Sequence, residues 1–248
     1  MPDLSTERYA LAPTGPLGRA YLEPCMKRTL WAVVPVKDLA HAKQRLAGVL
    51  DAAERQGLFA AMLEDVLAAL AASEGLAGIL VVTREPLAKD LAAGYGARVL
   101  LEPASRGHTA ASTLGAATLA AEGAAGMLQL PADLPLLTAP DVDAVLQDHA
   151  QAPSITLAPS RDRLGSNAVA CSPPDLLPLR FGDDSFYPHL ERARALGIEP
   201  NIVERAGLAL DVDTPADLAA FLATPSATRA YAYLMQTGIA PRVIAATG

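Results

Sequence analysis

Cysteine is nearly absent from this chain. Only Cys25 and Cys171 occur among 248 residues, with no Cys-x-x-Cys pair, which excludes a disulfide framework and a structural zinc site and fits a reducing cytoplasm. A surplus of basic residues is also missing. The formal charge of -7 argues against nonspecific nucleic-acid binding over a broad basic surface, so any basic cluster that matters must be local. No apolar run reaches the length of a membrane span, and the amino terminus lacks the basic-then-apolar order of a secretion signal. Neither nucleic acid nor membrane is therefore expected as a partner. No internal repeat is visible.

What is present is an alanine-rich sequence, 51% hydrophobic, which at this length suits a soluble, helix-rich globule built as one α/β domain. Residues 1–25 mix proline, glycine, threonine and glutamate without periodicity and are expected to form a flexible extension. The folded domain is expected over 26–225, with a C-terminal helix and tail over 226–248.

Apolar runs then alternate with helical patterns. Strands are expected at 30–36, 78–83, 98–101 and 126–130. Helices are expected at 51–73, where Leu58, Met62, Val66 and Leu70 recur at helical spacing, and at 85–93 and 109–122. This order predicts an α/β fold with a mostly parallel central sheet and helices on both faces. Beyond Pro140 the order loosens into a helix at 141–149, strands at 154–158 and 167–171, a proline-rich connector at 172–178, a helix at 185–196 and a short strand at 200–203. Thr214-Pro215 followed by Asp217 marks a helix start, and a last helix is expected at 226–236. The apolar stretch "AYAYLM" at 230–235 could cover a partner subunit in a homo-oligomer, or its own sheet.

Ligands of open parallel sheets bind outside the carboxyl ends of the strands, and three polar clusters fall at such ends. In "PVKDLAHAKQRL", Lys37 follows the first strand, with Lys43 and Arg45 close behind. In "LPADLPLL", two residues separate Asp133 from an apolar strand. In "LDVDTP", Asp211 and Asp213 alternate on an expected strand end and so share a face, opposite Val212. Cations at one strand end and carboxylates at two others suggest a polyphosphate with a divalent metal: lysine and arginine neutralise phosphate oxygens, and Mg2+ takes a few carboxylate oxygens while keeping waters and phosphates. Each cluster alone also reads as a solvated helix face, a turn or a helix cap. Their joint occurrence favours a site.

These segments, with "GSNA" at 165–168, "FGDDSFYPHLERARALG" at 181–197 and "LALDVDTPADL", resemble the CofC/FbiD guanylyltransferases of coenzyme F420 biosynthesis. The resemblance runs from about Lys27 to Phe221. It implies a nucleotide-diphospho-sugar-transferase-like (Rossmann-like) fold and transfer of GMP from GTP to a small phosphorylated three-carbon acid: 2-phospho-L-lactate, phosphoenolpyruvate or 3-phospho-D-glycerate. Single residues acquire implied roles as well. Lys37, Lys43 and Arg45 would face the triphosphate, and Glu102 and Thr109 belong to the loop that receives base and ribose. Asp133, Asp211 and Asp213 would bind Mg2+. Lys43, Arg45 and Asp133 would carry the chemistry. Ser166, where threonine is usual, Gly182 and Ser185 would line the acid pocket. His189 is expected to pack or to lie at the surface, and His108 to sit in a loop.

Two departures from the family stand out. Phe181-Gly182-Asp183-Asp184-Ser185-Phe186 replaces the usual Phe-Gly-Pro-Gly-Ser-Phe, and its carboxylates would repel an acidic substrate unless they face solvent, the metal or an arginine such as Arg161, Arg163 or Arg180. Arg106-Gly107-His108-Thr109 stands where a Gly-rich Gly-Leu-Asn is usual. Nucleotidyl transfer to a sugar phosphate or a molybdenum-pterin, and sugar transfer from a nucleotide sugar, would share the fold. The sugar-phosphate and pterin families carry a Gly-rich loop after the first strand, whereas in this chain no glycine follows that strand until Gly48. A catalytically silent nucleotide binder is the alternative outside enzymes, and cations and carboxylates gathered at strand ends weigh against it.

Overall fold

The computed structural model describes residues 30–37, 43–104, 106–182 and 184–247; the N-terminal extension expected over 1–25 lies outside them, as does Asp183. Leu30–Val36 forms β1, a run of apolar and largely branched residues buried at every position except the half-buried Trp31. Such a run suits a strand covered on both faces. β1 pairs in parallel with β2 (Leu76–Thr83) on one side and with β4 (Gly126–Gln129) on the other, and β3 (Arg98–Leu101) extends the sheet beyond β2. On the far side β6 (Ser166–Ser172) runs antiparallel to both β4 and β5 (Ser154–Pro159), and β7 (Asn201–Ile202) closes the order β3-β2-β1-β4-β6-β5-β7. The expected mostly parallel sheet is present, with β6 as its reversed strand.

The period of two along β1 sorts its side chains into two layers: Ala32, Val34 and Val36 belong to one core and Val33 to the other. The first core takes α1 (Ala52–Ala72), α2 (Pro86–Gly94), α4 (Ala139–Asp148) and the C-terminal helices, and the second takes α3 (His108–Ala121) and α5 (Phe186–Ala195). α1 begins at a capping box in which the Asp51 carboxylate accepts from Glu54 N (2.8 Å) and the Glu54 carboxylate accepts from Asp51 N (2.9 Å). Its buried face contains Leu58, Met62, Val66 and Leu70, as the spacing predicts. On the other face α3 approaches β1 so closely that a Cβ at Gly115 would lie 2.6 Å from Val33 Cγ1.

Helices α6 (Ala206–Ala209), α7 (Pro215–Leu222), α8 (Arg229–Gln236) and α9 (Ile239–Thr247) complete the chain. The Thr214 hydroxyl accepts from Asp217 N (3.2 Å) and the Asp217 carboxylate accepts from Thr214 N (2.9 Å), so α7 starts where the sequence places it. Two expectations change. Residues expected as a tail form α9, whose Ile239, Ala240 and Val243 are buried. Residues 211–213, expected as a strand end, join no strand and follow α6 as extended chain. No helix among the described residues is long and apolar enough to cross a membrane.

α8 packs on its own domain through one face, while Met235 stays exposed. Ala230 and Leu234 are fully buried, and the Asp65 carboxylate of α1 accepts from Arg229 N (2.8 Å) and Ala230 N (2.9 Å) at the start of α8. Burial pushes the Asp65 carboxyl above its usual range, against the pull of those two amides. Asp65→Ala would orphan both N–H groups, and a loss of about 1–2 kcal/mol is expected. Urea unfolding should show this as a lower midpoint, and limited proteolysis should show earlier cleavage around α8. An unchanged midpoint would remove the carboxylate's role in docking the helix.

Candidate active site

β1 and β4 are neighbours whose crossovers lead to opposite sides, the arrangement that opens a crevice at the carboxyl ends of parallel strands. The β1–β4 ladder stops at Val33 opposite Gln129, while β1 continues beside β2 to Val36 opposite Thr83. Pro35, which has no N–H to donate, falls beyond the last β4 pairing. Because β6 runs antiparallel to β4, the start of β6, with Ser166 and Asn167, reaches the same edge of the sheet.

Three segments far apart in the chain meet there. Lys37, exposed, leaves β1; Asp133 follows β4; and Val212 N donates to Asp133 O (3.1 Å), stitching residues 211–213 to the loop after β4. With Val212 fully buried, Asp211 and Asp213 point the other way. The alternation inferred from sequence therefore holds although no strand ladder forms; a single backbone bond to a loop carbonyl replaces it.

Lys43 stands with left-handed backbone (φ 54, ψ 41) ahead of a short 3-10 turn at Gln44–Leu46. Its ammonium lies between the two carboxylates, donating to Asp133 Oδ2 and to Asp213 Oδ1 (2.6 Å). The Lys43 side chain is 4% exposed. Burial works against its charge, and the two carboxylates outweigh burial and raise its pKa. For Asp213 burial likewise opposes ionisation, and Lys43 and then Arg45 prevail, holding the carboxyl below its usual range. Asp211 is different. Burial, then the charge of Asp133, pushes it up to about 6, eased by a hydrogen bond from Asn167 Nδ2 (3.1 Å).

The sequence-based expectation turned Lys43 toward a triphosphate; the structure turns it onto carboxylates, because a buried ammonium needs paired charge. Among the described residues no group of three or more His, Cys, Asp or Glu is disposed to hold a metal, so Asp133, Asp211 and Asp213 are not gathered as a three-carboxylate cage. A cation with fewer protein ligands still fits. Asp133 and Asp213 already share one positive charge, and Asp133 Oδ1 is buried without a hydrogen-bond partner. Two carboxylates with an unused oxygen match Mg2+, which keeps several waters and substrate oxygens.

The crevice widens into two connected lobes of about 480 and 520 Å3 that share Arg45, Gly165, Gly182, Asp211 and Asp213. Lys37, Thr109, Asp133, Ser166 and Ser185 line the first lobe only. Of the residues expected there, Glu102 is not brought in: it is buried and its carboxylate accepts from Arg106 N (3.2 Å), shaping the loop from behind. His108, expected in a loop, is the first residue of α3. Its Nε2 lies 3.0 Å from Gln129 Nε2 and its ring meets Phe181 edge-on. Thr109 ties α3 to the acid-side turn, its hydroxyl accepting from Phe181 N (2.9 Å).

On that acid side, Ser185 Oγ accepts from Ser166 N (2.8 Å), Ser166 Oγ lies 2.9 Å from His189 Nδ1, and Arg180 N donates to His189 Nε2 (3.0 Å). His189 is fully buried and so is not the surface residue that was one of its expected roles. Its position one turn beyond Ser185 was legible; its contact with Ser166 across 23 residues was not. Asp184 is exposed, and two of the arginines considered as compensation are engaged elsewhere, Arg161 with Asp217 (3.2 Å) and Arg163 with Glu204 (3.0 Å).

The fold is that of a nucleotide-handling α/β transferase. A crystal structure from Desulfovibrio desulfuricans G20, assigned to the nucleotide-diphospho-sugar transferases, superposes with a TM-score of 0.72 at 18% identity, over 88% of this chain and 99% of the other. Residues 30–245 match the family described as guanylyl transferase CofC like, and the chain belongs to that family. It is 41% identical over 191 residues to a phosphoenolpyruvate guanylyltransferase of Rubrobacter xylanophilus, covering 77% of this chain and 92% of the relative. It is 34% identical over 203 residues to a 2-phospho-L-lactate guanylyltransferase of Methanothermobacter thermautotrophicus, covering 82% and 88%.

Stability should carry the imprint of three imidazoles, His189 fully buried and His108 and His149 half-buried. Burial first, then Lys37 and Lys43, holds His108 down to about 4; burial, then Arg192 and Arg180, does the same for His189; and burial alone lowers His149 to about 4. An unfolded histidine titrates near 6.5. Between that pH and 4 the unfolded chain binds protons that the folded chain refuses, so stability is full above about 6.5 and falls as the pH drops toward 4. Asp211, raised to about 6, and Asp65, also raised, oppose this over part of the window. Urea midpoints are expected to decline steadily from pH 7 to pH 4, and less steeply in His189→Gln. A flat profile would contradict the neutral imidazoles.

Proposed function

We propose that this chain transfers GMP from GTP to the phosphate of phosphoenolpyruvate, 2-phospho-L-lactate or 3-phospho-D-glycerate, releasing pyrophosphate, as a Mg2+-dependent step in coenzyme F420 assembly in the cytoplasm. The observation that carries the reading is the pairing of buried Lys43 with Asp133 and Asp213 at the carboxyl ends of β1 and β4, which sets those two carboxylates in a lobe that Lys37, Arg45, Ser166 and Ser185 also line. Family membership supports the guanylyl donor, and the names of the relatives support the class of acceptor.

A phosphate monoester has its second pKa near 6 and is mostly a dianion at neutral pH, so the attacking oxygen needs no general base. A phosphate oxygen of the acid bonds to the α-phosphorus of GTP, the bond from that phosphorus to the bridging oxygen breaks, and the electron pair leaves with pyrophosphate. Lys37 and Arg45 hold the outer phosphates and stabilise the charge that develops on them, while Lys43 keeps Asp133 and Asp213 in place behind them. Ser166, Gly182 and Ser185 receive the carboxylate of the acid. Mg2+ on Asp133 and Asp213, with Asp211 beside them, would supply positive charge between the two phosphate groups.

Pyrophosphate release from GTP and Mg2+ is expected with at least one of the three acids, each supplied separately. Asp213→Ala is expected to lower turnover about 10²–10³-fold, the size of one lost transition-state contact. Normal Mg2+-dependent turnover by that variant would remove Asp213 from the site. Release with none of the acids would move the acceptor to a sugar phosphate or a pterin, or leave a silent nucleotide binder.

A further inference from the structure

His189 has a contact on each ring nitrogen, and one of them cannot be reversed. A backbone amide only donates, so the 3.0 Å bond from Arg180 N makes His189 Nε2 an acceptor with no proton of its own. The ring is fully buried with Phe181 edge-on at 5.1 Å, and its low pKa keeps it neutral. A neutral imidazole carries a single N–H, which must then sit on Nδ1. The 2.9 Å contact to Ser166 Oγ is therefore a bond donated by the histidine and accepted by the serine.

The consequence falls on Ser166. With a lone pair taken from behind, its hydroxyl proton cannot point back at His189. Ser185 is in the same condition, since its Oγ accepts from Ser166 N at 2.8 Å. The two side chains line one lobe of the cleft and are 5% and 2% exposed. Among the described residues neither hydroxyl proton meets an acceptor, and buried donors call for one. Two adjacent O–H groups facing a cavity match the two oxygens of a carboxylate.

We propose that His189 is a positioning residue that sets the hydrogen-bond polarity of the acid pocket: locked as the Nδ1–H tautomer by the Arg180 amide, it makes Ser166 a donor toward the carboxylate of the phosphorylated acid. The pocket then prefers a carboxylate to a carboxamide, whose N–H groups would meet hydroxyl protons. The role in substrate binding rests on the reading of Ser166 and Ser185 given under the proposed function; the tautomer does not.

Two measurements on the full chain separate these. Proton–nitrogen correlation spectra of 15N-histidine-labelled protein at pH 7.5, assigned with His189→Gln, are expected to show His189 protonated on Nδ1. Protonation on Nε2 overturns the proposal whatever the enzyme turns over. In the pyrophosphate assay, His189→Leu is expected to raise KM for the acid by roughly tenfold or more, the worth of a hydrogen bond to a charged group, with KM for GTP unchanged. His189→Gln can accept from Arg180 N through Oε1 and donate to Ser166 through Nε2, and should restore KM for the acid to within a few-fold of wild type. An unchanged KM in His189→Leu, or a Gln variant as impaired as the Leu variant, overturns the positioning role. Should the wild type turn over none of the three acids, the assignment of the acid pocket fails, and the tautomer spectrum alone decides on His189.

Discussion

A lysine ammonium taken out of water must be paired, and here the pairing holds the site together. Removing a unit charge from water costs several kcal/mol even after the protein relaxes, and Lys43 escapes that cost by lying between Asp133 and Asp213. The three residues come from the turn after β1, the loop after β4 and the segment after α6. The bond from Val212 N to Asp133 O clamps the second and third of these directly. Loss of Lys43 would leave Asp133 and Asp213 facing each other without positive charge between them, so the loops of the crevice are constrained as a set.

The divalent cation proposed for this place would meet the same arrangement. Two carboxylates that tolerate an ammonium between them are already arranged around positive charge, and the unpartnered Asp133 Oδ1 is an oxygen for which the protein supplies no donor. Asp211, beside the pair and drawn toward neutrality, shows the other side of this balance: a third carboxylate in the same burial is hard to keep ionised without more positive charge than Lys43 provides.

Across the cleft the design rests on hydrogen-bond direction rather than on charge. The reversed strand β6 delivers its first residues to the edge where the parallel strands end, and Ser166 arrives there with its amide given to Ser185 and its hydroxyl engaged by His189. Arginines that could have neutralised an acidic substrate are spent on Asp217 and Glu204. Ser166 and Ser185 supply neutral hydroxyls on this side, and Asp184 is exposed.

Much of this was written locally. The buried stripe of α1, the capping residues Asp51 and Thr214, the strand at Leu30–Val36 and the order of strands and helices follow from side-chain periodicity and from turn chemistry, which act over a few residues and survive in any reading of the sequence. The motif residues Lys37, Lys43, Arg45, Asp133 and Asp213 could likewise be named in advance from the strand ends they follow, and Ser166 and Ser185 from the family resemblance. What only the tertiary structure decided is which of them touch. Lys43 meets partners 90 and 170 residues away, Glu102 turns back to its own loop, residues 211–213 are held by one bond to a loop carbonyl instead of a ladder, and His189 reaches Ser166 from another element. Periodicity specifies the face on which a side chain lies; burial and the need to pair every charge and donor choose its partner, and that choice exists only once the strands are side by side.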